Sequence, residues 1–290
     1  MNIKMTAGRL APALLFVLLL VAAAQPAHAR LSVFVSILPQ SYLIQRIGGE
    51  LLSVSVLVGP GQSPHAYEPT PRQVAALSGA DIYFTIGLPF EQRLIEKAGV
   101  ARRISVIDMR RGIELRNADD HDEDGHGGPE GKDPHIWLAP QLLKRQAETA
   151  CRALQKKDEG NAAAYQKNFD ILAAELDALD KELARRLAPF AGRELFVFHP
   201  ALGYYADAYR LRQVAIEMAG KEPGSKSFAA VLDRARTSGV KTIFVEKQFS
   251  PKSALAVAGQ IGAEVVAIDP LAPDCFQTLR DITGKIEKMK

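Results

Sequence analysis

Chemistry in this chain is concentrated in a few histidines and one aspartate. Of the histidines, His65, His135 and His199 each stand beside a proline (Pro64, Pro134 and Pro200), just after a predicted strand or at the exit of a loop. A neighbouring proline fixes φ and stiffens the backbone that carries the ring. Asp269 follows the same pattern, at a predicted strand end and followed by Pro270. His65 and His135 are 70 residues apart, and so are His199 and Asp269. Three imidazoles and one carboxylate suit Zn²⁺, which takes histidine nitrogen and aspartate oxygen in tetrahedral sites. Four protein ligands leave no open coordination position, which favours binding over catalysis. Spacing alone leaves the plainer alternative standing, that each is an ordinary hydrogen-bonding residue at a strand end.

Other signals are weaker or absent. Gly59-Pro-Gly-Gln-Ser-Pro64 starts like a phosphate loop but lacks the later Gly-Lys-Ser/Thr, and neither H-E-x-x-H nor C-x-x-C occurs. Ser225, Ser227 and Ser250 sit in no G-x-S-x-G elbow. Glu68 and Glu246 could orient a ligand histidine, or simply be surface or helix-capping carboxylates. Trp137, two residues after His135, is expected to pack under the site.

The elements that must position these residues read as α/β. A long helix is predicted over Asn161 to Leu187, because Tyr165, Phe169, Leu172, Leu176, Leu179, Leu183 and Leu187 step by three or four. Asp158 or Asn161 can cap its start, and Pro189 and Gly192 end it. On either side, apolar strand patterns alternate with helical ones: Leu31–Leu38, Leu52–Val58, Asp81–Ile86 and Ile104–Asp108 before, then Glu194–Phe198, Gln213–Glu217, Lys241–Glu246 and Glu264–Ile268 after. Such alternation implies βαβ units and parallel sheets. The expected architecture is two small parallel-sheet lobes, residues 30–158 and 189–290, bridged by one long helix at 159–188, with the metal site in the cleft between them. Residues 117–132 interrupt the rhythm with six acidic residues, His121, His126 and four glycines, and read as a mobile acidic loop.

Residues 1–29 read as a signal peptide: Lys4 and Arg9, an apolar run from Leu10 to Ala24, and Ala27-His28-Ala29 as the cleavage pattern. Removing Lys4 and Arg9 leaves 34 basic against 33 acidic residues, a net charge of +1. That balance carries no electrostatic footprint for nucleic acid. No later segment is long and apolar enough to span a membrane, so the processed chain is expected in the periplasm as a monomer. Cys151 and Cys275, the only cysteines, lie on opposite sides of the long helix and are expected as separate thiols.

Three segments together resemble the metal-binding receptors of zinc and manganese ABC importers, the ZnuA-like, TroA-type family: Gly61–Pro71 around His65, Asp133–Pro140 around His135 and Phe198–Tyr205 around His199. Phe244–Pro251 and Val266–Leu271 add to the likeness. The resemblance implies a two-lobed receptor, not an enzyme, that delivers Zn²⁺ as a transported ligand to a membrane permease. Its ligand positions carry over to His65, His135, His199 and Asp269. Manganese-preferring members resemble this pattern but usually place a carboxylate where this chain has His199. Nitrogen-rich sites suit Zn²⁺ and oxygen-rich ones Mn²⁺, so zinc is the expected metal. The alternatives are a manganese- or iron-selective receptor of the same fold, a receptor for a larger metal chelate, or a zinc hydrolase in which Asp269 is a base. The family's long His-rich loop is short and acidic here, and the disulfide of some zinc receptors cannot form in a half that holds Cys275 alone.

Overall fold

The computed structural model describes residues 30–97, 104–117, 131–216, 225–249 and 252–289. Residues 1–29, expected as a signal peptide, and most of the expected acidic loop fall outside the described residues. Strands β1 (Leu31–Val35), β2 (Leu52–Val56), β3 (Ile82–Thr85) and β4 (Ser105–Asp108) form one four-stranded sheet in the order β2-β1-β3-β4. Strands β5 (Glu194–Val197), β6 (Arg212–Ala215), β7 (Thr242–Glu246) and β8 (Glu264–Ile268) form a second in the order β6-β5-β7-β8. Every pairing is parallel. The two orders are the same permutation, so each half of the chain repeats one topology. In each sheet the order reverses beside its first strand, and at the carboxyl end of such a switch point α/β folds place their ligands.

The helices are α1 (Leu38–Gly48), α2 (Pro71–Leu77), α3 (Pro89–Lys97), α4 (Pro140–Lys157), α5 (Ala162–Leu187), α6 (Gly203–Ala208), α7 (Ser225–Thr237), α8 (Lys252–Ile261) and α9 (Cys275–Ile286). Two depart from the sequence expectation: the last helix, expected from Ile282 onward, begins at Cys275, and α1 stands where a strand was expected to continue. The first strand stops at Val35 instead of Leu38, and α1 follows where no helix was read. The Gln40 side chain explains the turn: its Oε1 accepts the N–H groups of Ser36 (2.8 Å) and Ile37 (3.2 Å). Pro39 then opens the helix, and Leu43, Ile44 and Ile47 bury its inner face.

The long helix is α5, 26 residues, with Tyr165, Leu172, Leu176, Leu179, Leu183 and Leu187 buried along one face. Neither expected residue caps it by side chain. Asp158 instead accepts from Asn161 Nδ2 (2.8 Å) and the Tyr165 hydroxyl (2.7 Å), closing the preceding turn. The first turns and middle of α5 meet α1 through Asn168 Nδ2 to the Ile47 carbonyl (2.9 Å) and Arg46–Glu175 (2.6 Å). The last turns meet α9 through Arg186–Glu287 (2.8 Å) and Arg280–Glu182 (2.9 Å).

The main apolar core runs through both halves, from Val33 and Tyr83 past Leu176 to Leu195 and Ile282. A smaller core of Phe196, Ile243, Leu232 and Val257 fills the other face of the second sheet. Cys151 and Cys275 are buried free thiols. Among the described residues, no helix is long and apolar enough to cross a membrane.

Candidate metal centre

The three histidines converge. One ligand nitrogen from each of His65, His135 and His199 lies within 4.8 Å of the others. The rings pack edge to face or tilted, with centroids 4.6 Å apart for His65–His199, 5.0 Å for His135–His199 and 5.7 Å for His65–His135. The Nε2 atoms of His135 and His199 are 3.2 Å apart. Zn–N distances of about 2.0–2.1 Å put neighbouring ligands of a tetrahedral site about 3.3 Å from each other. The donor set therefore suits a small divalent cation in chemistry, and the His135–His199 pair also in spacing.

Each histidine is placed by a different local device. His65 lies in a short helical turn, Pro64–Ala66, within the connection from β2 to α2. Tyr67 anchors that connection: it is buried, gives its hydroxyl to the Leu57 carbonyl (2.7 Å) and stacks edge-on against Phe90 (4.9 Å). Thr70 and Gln73 form a capping box at the start of α2, and Gln73 also reaches the Leu57 carbonyl (3.0 Å).

His135 precedes a buried turn, Ile136–Leu138. Asp133 fixes its ring, with Oδ1 2.7 Å from Nδ1 and 2.9 Å from the His135 backbone nitrogen. A carboxylate on Nδ1 holds the proton there and leaves the Nε2 lone pair for a cation. Asp133 is in turn held from the second half of the chain. The Tyr204 hydroxyl donates to the Asp133 carbonyl (2.9 Å) and accepts the Arg116 N–H (3.0 Å). Burial first, and the Asp133 charge second, push that hydroxyl up to about 12, so it remains a donor. A Cβ on Gly203 would stand 2.8 Å from Arg116 Nε and 2.9 Å from Asp133 Oδ2, so any side chain there would have to displace one of them.

His199 follows β5, beside the switch point of the second sheet, and is buried. Its N–H points at Glu246 Oε2 (3.3 Å), and Phe249 stacks on its ring at 4.9 Å and 26°. Burial, and then the facing His135, hold its imidazole well below the ordinary value. It is neutral at pH 7 and offers a lone pair.

Among the described residues, Asp269 does not join the group formed by the three histidines. It follows β8, where Oδ1 accepts the Gln248 amide (2.9 Å) and Oδ2 lies 3.6 Å from Lys247 Nζ. Trp137 ties it to the histidines: the ring is 5.1 Å from His135, and its N–H donates to the Pro270 carbonyl (2.9 Å). Of the two carboxylates read as able to orient a histidine, Glu246 accepts the backbone N–H of His199 itself, and Glu68 is exposed. Asp133, the acidic residue two before His135, orients that ring, a role the sequence reading did not give it. Phe249 lies in the Phe244–Pro251 segment of the likeness, but nothing in its type or spacing marks it as a residue of the site.

Comparison with known proteins gives these contacts a context. The family described as "Zinc-uptake complex component A periplasmic", ZnuA, matches residues 33–288. The chain belongs to the ZnuA family. A curated ZnuA relative, the "High-affinity zinc uptake system protein ZnuA" of Bacillus subtilis, is 30% identical over 253 residues, 83% of this chain and 79% of the relative. The "Manganese-binding lipoprotein MntA" of Halalkalibacterium halodurans is 26% identical over 242 residues, 78% of this chain and 77% of its own. A crystal structure of ZnuA superposes with a TM-score of 0.83 at 42% identity, covering 89% of this chain and 98% of that one. The paired four-stranded sheets and bridging helix described above are thus the ZnuA-family architecture.

Proposed function

We propose that this chain is an exported receptor that binds one Zn²⁺ and hands it to the permease of an ABC importer. The observation that carries the reading is the convergence of three histidine nitrogens from separate parts of the chain. His65 and His135 come from before α5 and His199 from after it, so a bound ion would be held between the two halves. Asp269 is the fourth ligand in this reading, and Asp133 the carboxylate that sets the His135 tautomer. Family membership supports a receptor rather than an enzyme. Three imidazoles favour Zn²⁺ over Mn²⁺, which prefers oxygen.

Residues 1–29 are proposed as the cleaved signal that takes the chain to the periplasm. The test is calorimetry on the protein after chelation. One Zn²⁺ per chain is expected, with binding lost in His135→Ala and His199→Ala and weakened in Asp269→Ala. Tight binding in His135→Ala would overturn the three-histidine site.

A further inference from the structure

The connection from β7 to α8 touches the site twice. Phe249 lies against the His199 ring, and the preceding residue, Gln248, gives its side-chain amide to Asp269 Oδ1 at 2.9 Å. Gln248 and Asp269 line one cavity together with Ile37, Leu38, Gly59 and Leu271. Two donors face the carboxylate from this connection, and they are unequal. Lys247 is 62% exposed, and its Nζ is 3.6 Å from Oδ2. Ion pairs so exposed contribute little. The Gln248 amide is half-buried, and its hydrogen bond is short and directional.

We propose that Gln248 is a specificity-determining residue that keeps Asp269 a one-oxygen ligand. This rests on the reading of Asp269 as the fourth ligand. A carboxylate whose Oδ1 is engaged by an amide N–H has Oδ2 left for the metal. One oxygen and three imidazole nitrogens complete the four-coordinate shell that Zn²⁺ adopts. Mn²⁺ favours more oxygen ligands in a six-coordinate shell. It would gain from both carboxylate oxygens, and to take Oδ1 it must displace the amide. The same hydrogen bond that leaves Zn²⁺ well served therefore works against Mn²⁺.

The test uses the metals themselves on the full mature chain: competition calorimetry of Zn²⁺ against Mn²⁺, and visible absorption with Co²⁺ as a probe, since four-coordinate Co²⁺ absorbs far more strongly than six-coordinate. The variants are Gln248→Leu, Gln248→Met, Lys247→Ala and Asp269→Ala. Hydrogen bonds to charged groups are strong enough that loss of this one should narrow the zinc-to-manganese ratio roughly tenfold in both Gln248 variants. The Co²⁺ bands should weaken in the same two variants, while Lys247→Ala leaves ratio and bands unchanged. An unchanged ratio and spectrum in the Gln248 variants overturn the proposal, and so does an equal loss of affinity for both metals. If Asp269→Ala binds Zn²⁺ like the wild type, the fourth-ligand reading falls as well. Gln248 variants that fail while Asp269→Ala weakens binding overturn the Gln248 proposal alone.

Discussion

Asp133 has two oxygens and both are engaged: Oδ1 faces His135 Nδ1 at 2.7 Å, and Oδ2 lies 3.8 Å from Arg116 Nε. Replacing it by asparagine keeps the shape but removes the charge that holds the Nδ1 proton. Loss of such a partner typically lowers metal affinity about 10–100-fold. Calorimetry on Asp133→Asn should find Zn²⁺ affinity lowered by that factor with the stoichiometry unchanged. A second buried carboxyl, Glu91, serves the first sheet. It accepts the N–H groups of Ile86, Gly87 and Leu88 and the Ser36 hydroxyl. Burial nevertheless pushes it up to about 7. The native chain then keeps a proton between about pH 4.5 and 7 that the unfolded chain has lost, so stability falls as pH rises through that window. At 1.36 kcal/mol per unit, wild type should lose about 3 kcal/mol from this group between pH 4 and 8. The Glu91→Gln variant should not. Urea unfolding of both proteins with chelator present checks the difference, which also cancels the opposite slope contributed by His199. Parallel curves would refute the assignment.

At the scale of the element, α5 is held by its buried face far more than by its ends. Leu176 sits mid-helix and is fully buried, whereas Ile171 is 49% exposed. Leu176→Ala should destabilise the protein by about 2–5 kcal/mol through the cavity it leaves. Ile171→Ala should stay within about 0.5 kcal/mol. Chemical denaturation of the pair measures whether the apolar stripe is what seats the helix. That stripe was legible in the sequence because its period of three to four has no strand counterpart. The strands were legible as apolar runs bounded by turn residues, and the three proline-flanked histidines as a group. What stayed hidden depended on contacts between distant segments. The turn after Val35 is made by the side chain of Gln40, and a run of apolar residues across it reads as one long strand. Phe249 meets His199 only because β5 and β7 are neighbours in the sheet, and Tyr204 reaches Asp133 across 71 residues.

For the whole molecule, the two halves are joined by more than α5. They share one apolar core, and they are tied by Trp137 to Pro270, Tyr204 to Asp133 and Arg186 to Glu287. A hinge would have to break buried contacts, so metal binding should reshape the molecule little. For a compact chain of about 260 residues the radius of gyration is about 18 Å, and it should change by less than about 1 Å on zinc addition. Small-angle scattering with and without Zn²⁺ decides this. A change of several ångströms would show that the halves move as separate bodies.

Trp137 gives this molecule a built-in optical reporter. It is the only tryptophan of the chain, its ring lies 5.1 Å from His135, a proposed ligand in the first half, and its N–H ends on a carbonyl of the second. Indole emission responds to the charge and polarity of its immediate surroundings. A cation arriving at His135 should therefore change the fluorescence of the unlabelled protein, and the change should saturate at one equivalent of Zn²⁺. Trp137→Phe should be dark at these wavelengths while still taking up metal by calorimetry. An emission spectrum indifferent to Zn²⁺ would mean that the ring, though adjacent, does not sense the site.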